Sequence, residues 1–122
     1  MADYTVNIDL PDHKRGDRWI GIAAIGPVLI DEETPENELV RLRMQFRRVR
    51  GSEVFTIDTQ GSPDAPAVID DAETWEAHIP EIQSFLSLAG KWEWDMEFYE
   101  HGKANPLTLY KGVVTVHADT TR

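Results

Sequence analysis

Between residues 92 and 99, apolar and polar positions alternate without a break: Trp92, Trp94, Met96 and Phe98 stand against Glu93, Asp95, Glu97 and Tyr99. Successive side chains of an extended strand point to opposite faces, so this spacing sends the large apolar set one way and the acidic set the other. A helix would scatter the same residues around its circumference, whereas a half-buried strand of an antiparallel sheet needs them apart. After the polar break at 101–106, residues 107–116 resume as a second β-rich run. The two segments read as the main hairpin of the fold.

The same logic carries through the rest of the chain. Tyr4, Val6, Ile8 and Leu10 alternate with Thr5, Asn7 and Asp9 in a first strand closed by Pro11, and the polar stretch 12–17, with Gly16, reads as a turn. Residues 18–25, rich in β-branched and aromatic side chains, predict a strand stopped by Gly26-Pro27, with 28–30 continuing it after a bend. An acidic loop around Pro35 leads to Val40, Leu42, Met44 and Phe46, predicted inward, against Arg41, Arg43, Gln45 and Arg47, predicted outward. Arg50-Gly51-Ser52 then turns the chain into 54–57, and the two segments should pair as a hairpin. Residues 60–66, with two prolines, read as a loop, and 68–69 and 75–79 as short strands. Ile82, Phe85, Leu86 and Ala89 follow Pro80 at spacings of three and four and precede Gly90, which predicts one short helix crossing from sheet to sheet. About seven short strands with turn signals between them argue a two-sheet sandwich, with a small closed barrel as its rival.

Composition narrows the classes. At 122 residues, with four Trp and four Phe, the chain is long enough to bury a core and is expected to form a single domain over 1–122. It has no cysteine, which removes disulfides, thiolate metal sites and a thiol nucleophile. The net charge of -10 repels phosphate backbones, so no nucleic-acid partner is expected. The opening residues lack the basic and apolar regions of a signal peptide. The longest apolar stretch, 20–30, is interrupted by Gly21, Gly26 and Pro27 and is too short to span a bilayer, so a soluble protein with no membrane partner is expected.

Candidate chemistry adds little. The histidines at 13, 78, 101 and 117 share no metal-ligand spacing and read as surface residues, so no metal or cofactor is expected. Glu93 and Asp95, or Asp95 and Glu97, would sit about 7 Å apart along one strand face, within the range of roughly 5–9 Å that paired glycosidase carboxylates need. The plainer reading makes them the wet side of the strand, paired with cations on its neighbour. The acids of 31–38 do not follow the EF-hand pattern, and Ser52, Ser62, Ser84 and Ser87 lack the context of a nucleophile elbow. No catalytic residue is assigned. Arg41, Arg43, Arg47 and Arg48 form the most unusual surface feature and the candidate interface. Arg41, Arg43 and Arg47 share one strand face, where they would either pair with Glu93, Asp95 and Glu97 or dock an acidic surface of a second copy.

The order of these pieces resembles a known family. Gly16-Asp17-Arg18-Trp19-Ile20 precedes the second strand, Leu42-Arg43-Met44-Gln45-Phe46-Arg47 forms the middle one, and Gly90-Lys91-Trp92-Glu93-Trp94-Asp95-Met96-Glu97 opens the hairpin. Its return strand, 107–116, closes in Asp119-Thr120-Thr121-Arg122. This series resembles the small phage and prophage proteins built on an immunoglobulin-like sandwich, of the kind found as the N-terminal domain of baseplate upper proteins. The resemblance implies an all-β, immunoglobulin-like antiparallel β-sandwich of about seven strands with one short helix. It also implies a non-enzymatic virion component, synthesised in the bacterial cytoplasm, whose partners are other copies of itself in a homo-oligomer and other virion proteins. The alternative is a small carbohydrate- or peptide-binding module using aromatic side chains near Trp19, Trp75 or Tyr99.

Overall fold

The computed structural model describes residues 5–15, 17–61 and 63–118. Within them the chain forms β1 (Val6–Asn7), β2 (His13–Lys14), β3 (Ile22–Ile25), β4 (Leu39–Arg48), β5 (Val54–Asp58), β6 (Ala65–Pro66), β7 (Val68–Asp71), β8 (Glu76–Ile79), β9 (Gly90–Glu100) and β10 (Leu107–His117). One sheet runs β1-β10-β9-β4-β5-β6, with β2 also pairing β10; the other is β3-β8-β7. The pairs β3–β8, β7–β8, β4–β5, β4–β9 and β9–β10 are antiparallel, while β1 and β2 run parallel to β10 and β6 parallel to β5. Residues of both sheets belong to one buried apolar cluster, so the fold is all-β and sandwich-like. Tyr4 of the expected first strand, Gly16 of the turn and of the family series, Ser62, and the closing residues 119–122 lie outside the described residues.

The alternation over 92–98 folds as the sequence predicts. Trp92, Trp94, Met96 and Phe98 are all buried, and in register they meet Arg48, Phe46, Met44 and Leu42 of β4. Two bulges change the phase of the neighbouring strands. The register shifts between Leu39 and Arg41, so Leu39 is buried at 2% exposure while Val40, predicted inward, stands 41% exposed. A second shift between Thr108 and Tyr110 lets Leu109 turn inward along with Gly112, Val114 and Val116, although 109 and 112 have opposite parity. An extra residue in one strand of an antiparallel pair reverses which side chains face the core beyond it.

The predicted helix after Pro80 does not form; no helix occurs among the described residues. Trp19 and Ile82 exchange backbone hydrogen bonds, Trp19 N–H to Ile82 O at 2.7 Å and Ile82 N–H to Trp19 O at 2.8 Å. In a helix the Ile82 carbonyl would accept from the N–H of residue 86, so this bridge removes the first rung. Leu86 has φ of +45°, outside the helical region. The spacing that mimicked a helix instead serves an irregular segment: Phe85 and Leu86, adjacent in the chain, are both buried. Two segments read as turn and loop also contribute short strands, 13–14 along β10 and 65–66 along β5.

The two margins of the molecule differ. At one, the chain crosses between sheets and is stitched there: Ala67 N–H bonds Asp58 O at 3.1 Å and Leu39 N–H bonds Ala72 O at 2.9 Å. At the other, the N-terminal segment lies along β10, with Ile8 N–H on Lys111 O at 2.7 Å and Leu10 N–H on Val113 O at 2.9 Å. That approach requires glycine at 112, because a Cβ there would stand 1.8 Å from the Ile8 carbonyl oxygen. Gly112→Ala should therefore cost about 2 kcal/mol, with faster amide exchange confined to residues 6–15 if the segment is pushed off; unchanged protection there would refute the packing argument.

Candidate functional site

The arginine series occupies the outer surface of the large sheet. Strand pleating puts Arg41, Arg43 and Arg47 on the face opposite Leu42, Met44 and Phe46, together with Glu93, Asp95 and Glu97 of β9 and Lys111 of β10. Arg47 bonds Asp95 at 3.1 Å and also donates to Gln45 Oε1 at 2.8 Å. Arg43 sits in register between Asp58 and Glu97; among the described residues its side chain donates no hydrogen bond and makes no ion pair within 4.0 Å. Arg48 belongs to the other face. It lies opposite Trp92, gives two hydrogen bonds to the Ala89 carbonyl at 3.1 and 2.8 Å, and contacts Glu53 at 3.4 Å. The four arginines are thus not one stripe: three share the outer face and the fourth anchors the end of the irregular 80–90 segment.

The strongest pair on that face uses an acid outside the trio that the sequence offered. Arg41 makes a two-pronged contact with Asp58, Nε to Oδ1 at 3.0 Å and Nη2 to Oδ2 at 2.6 Å, and its guanidinium lies 5.0 Å from the centroid of the Tyr99 ring. Burial alone would raise the Asp58 carboxyl. The hydrogen bonds from Arg41 and from the Gln60 N–H, with the charges of Arg41 and Arg43, outweigh it and hold the carboxyl below its ordinary value. The same hydrogen bond to Asp58 raises Arg41, against a smaller desolvation effect.

Other candidate groups are dispersed. His78 pairs with Asp70 at 2.9 Å and His117 with Asp12 at 2.8 Å, while His101 is exposed. His13, expected at the surface, is buried, edge-on to Phe85 at 5.1 Å, with its Nε2 3.1 Å from the Asp17 carbonyl. Among the described residues no three His, Asp or Glu side chains gather as metal ligands. Of the aromatics considered for a ligand platform, Trp75 is fully buried, stacked on Phe98 and donating to the Asn37 carbonyl at 2.8 Å, so it presents no face to solvent. Trp19 is half-buried and stacked on Phe85 with ring centroids 4.4 Å apart, and Tyr99 lies under Arg41.

Two open hollows flank the N-terminal segment. One, of about 330 Å³, lies on the outer face between Asn7, Arg47, Glu93, Asp95, Lys111 and Val113. The other, of about 280 Å³, lies between the sheets at the β3 margin and is lined by Ile8, Leu10, Ile22, Ala24, Met96 and Tyr110 among others. Trp94 reaches both. No helix of the described residues is long and apolar enough to cross a membrane. No protein-family model matches this chain, nor does any curated protein or solved structure.

Proposed function

We propose that this chain is a non-enzymatic structural or assembly protein of a phage or prophage particle, of the tail or baseplate type, acting by protein–protein docking. The observation that carries the docking reading is the outer face of β4, β9 and β10. Arg41 and Arg47 are held there by Asp58 and Asp95, so a row of arginines set among acids is ordered before any partner arrives. Pre-ordering lowers the cost of association, and arginine is the charged residue most favoured in interfaces. Arg43, at the centre of the row, is the cation left to pair across the contact. The virion assignment draws on the sequence series described above.

An immunoglobulin-like arrangement suits this reading. Supporting it, β3, β8 and β7 follow the B-E-D order of one immunoglobulin sheet, and β10, β9, β4 and β5 follow the G-F-C-C′ order of the other. The test is incorporation. Particles assembled with the tagged parent chain should retain it through density-gradient purification, whereas Arg43→Ala, which adds no like charge beside Asp58 and Glu97, should keep the parent's circular dichroism yet be retained at least about tenfold less. Absence of the parent chain from purified particles, or full retention of Arg43→Ala, would overturn the assignment of this face.

A further inference from the structure

We infer that copies of this chain associate head to tail, the basic end of the large sheet taking the acidic 31–38 loop of a second copy. The contact is separate from the outer arginine face and adds a second docking surface to it.

Antiparallel pairing builds the basic end. β4 ends at Arg48 where β9 begins at Gly90, and Val49 N–H bonds the Lys91 carbonyl at that corner at 2.9 Å. Arg48, Val49, Arg50, Gly90 and Lys91 line an open hollow of about 430 Å³ there, with Val49 46% exposed. Arg48 contacts Glu53 at 3.4 Å. The Arg50 and Lys91 side chains are exposed and, among the described residues, make no hydrogen bond or ion pair. A cationic hollow on a chain of net charge -10 calls for an acidic occupant.

The chain carries that occupant at its other end. Residues 31–38 hold five carboxylates in eight positions and no cation, the densest acidic run in the sequence. Leu39, which follows them, opens β4 opposite Glu100. The length of β4 sets the two ends about 30 Å apart, so the loop cannot reach the basic hollow of its own molecule. It is also ordered in advance, which lowers the cost of association. Ile30 and Glu33 exchange backbone hydrogen bonds at 2.8 and 3.1 Å, Asn37 Nδ2 donates to Glu100 at 2.8 Å, and His101 N–H donates to the Glu38 carbonyl at 2.8 Å. Glu33 and Glu36 are exposed, with side chains unengaged among the described residues. Ile30, Pro35 and Leu107 line the hollow beside them and offer apolar surface for Val49 to cover. An apolar centre inside a charged rim is the usual anatomy of a docking surface.

Two such acidic molecules repel in most orientations, but this one sets cations against carboxylates. The two surfaces differ, so each copy keeps one end free, and the contact repeats as a row or ring instead of closing as a dimer.

Sedimentation velocity of the full chain between about 1 and 100 μM tests the contact, a range set by the micromolar affinities common for modest interfaces. At about 20 mM salt the parent's mean sedimentation coefficient should rise with concentration past the dimer value, and at about 500 mM it should fall to the monomer's as the attraction is screened. Glu33→Gln/Glu36→Gln and Arg50→Gln/Lys91→Gln, all at exposed positions, should keep the parent's circular dichroism and each associate about tenfold more weakly. Mixed, they should form a 1:1 complex of parental affinity that grows no further, because the first variant keeps the basic end and the second the acidic loop. A monomer throughout, association that strengthens with salt, or a mixture no tighter than either variant alone overturns the head-to-tail contact. A monomer whose retention in particles falls with Arg50→Gln/Lys91→Gln would give the basic hollow to a different protein, which overturns it as well. The Arg43→Ala result is read separately, so a monomer with that result preserved removes this proposal alone.

Discussion

Phe85→Ala is expected to destabilise the chain by about 4 kcal/mol, lowering Tm by roughly 15 °C. The ring is fully buried although its segment has no regular structure. It stacks on Trp19 at 4.4 Å, meets Phe46 and His13 edge-on at 5.1 Å, and meets Phe55 at 5.5 Å. Those partners come from β2, β4, β5 and the strand-like stretch before β3, so one side chain holds four separated pieces of chain. The flanking backbone gives the site little freedom to collapse, because Ile82 is tied to Trp19 and the Ala89 carbonyl to Arg48. A cavity that cannot close places the cost towards the upper end for Phe→Ala. Leu88→Ala, three residues on and 37% exposed, serves as the control and should change stability by less than about 0.5 kcal/mol. Urea unfolding of both variants decides the matter; a loss below about 1 kcal/mol for Phe85→Ala would mean that the segment is a loose cover and not a plug.

Phe85 also marks where the sequence stopped being legible. The alternation in β9 could be read because every second residue serves the core and nothing interrupts the pleat. In β4 it could be read from Leu42 onward, but not at Val40, since a bulge leaves no signature in apolar and polar order alone. The spacing of Ile82, Phe85, Leu86 and Ala89 fits a helix as well as it fits an irregular stretch with two adjacent buried residues. What decides between them is Trp19, more than sixty positions away, which captures the backbone groups of Ile82. Such non-local competition for a hydrogen bond is invisible to any window of neighbouring residues.

The candidate surface was legible in the same partial way. Period two placed Arg41, Arg43 and Arg47 on one face and the acids of β9 on the same face, and Arg47–Asp95 is a pair of the expected kind. Period two also implies that Arg48 turns away, which the tempting grouping of four arginines obscured. Asp58 was missed because it ends its strand and carries no pattern of its own. The available signal was the hairpin register: Arg47 opposite Val54 counts back to Arg43 opposite Asp58, one diagonal step from Arg41.

Removing that partner, by Asp58→Ala, is expected to cost about 3 kcal/mol at neutral pH. The Asp58 side chain is 5% exposed and its Arg41 partner 32%, so the stranded guanidinium can turn partly to water, which keeps the loss at the lower end for broken buried pairs. The pH dependence separates the ion pair from simple packing. Because the folded carboxyl is held below its ordinary value of 3.8, the pair's full contribution is present above that value. It is lost as the pH falls through the still lower value of the folded state, where protonation removes the charge that Arg41 binds. The stability difference between parent and Asp58→Ala should therefore be flat from about pH 8 to 5 and shrink steadily below about pH 4. Other carboxylates titrate in the same acid range, but they are common to both chains and cancel in the difference. A difference that stays constant down to pH 3 would show that Asp58 acts through the shape of its side chain and its bond to the Gln60 N–H, and that the arginine row is not ordered by charge.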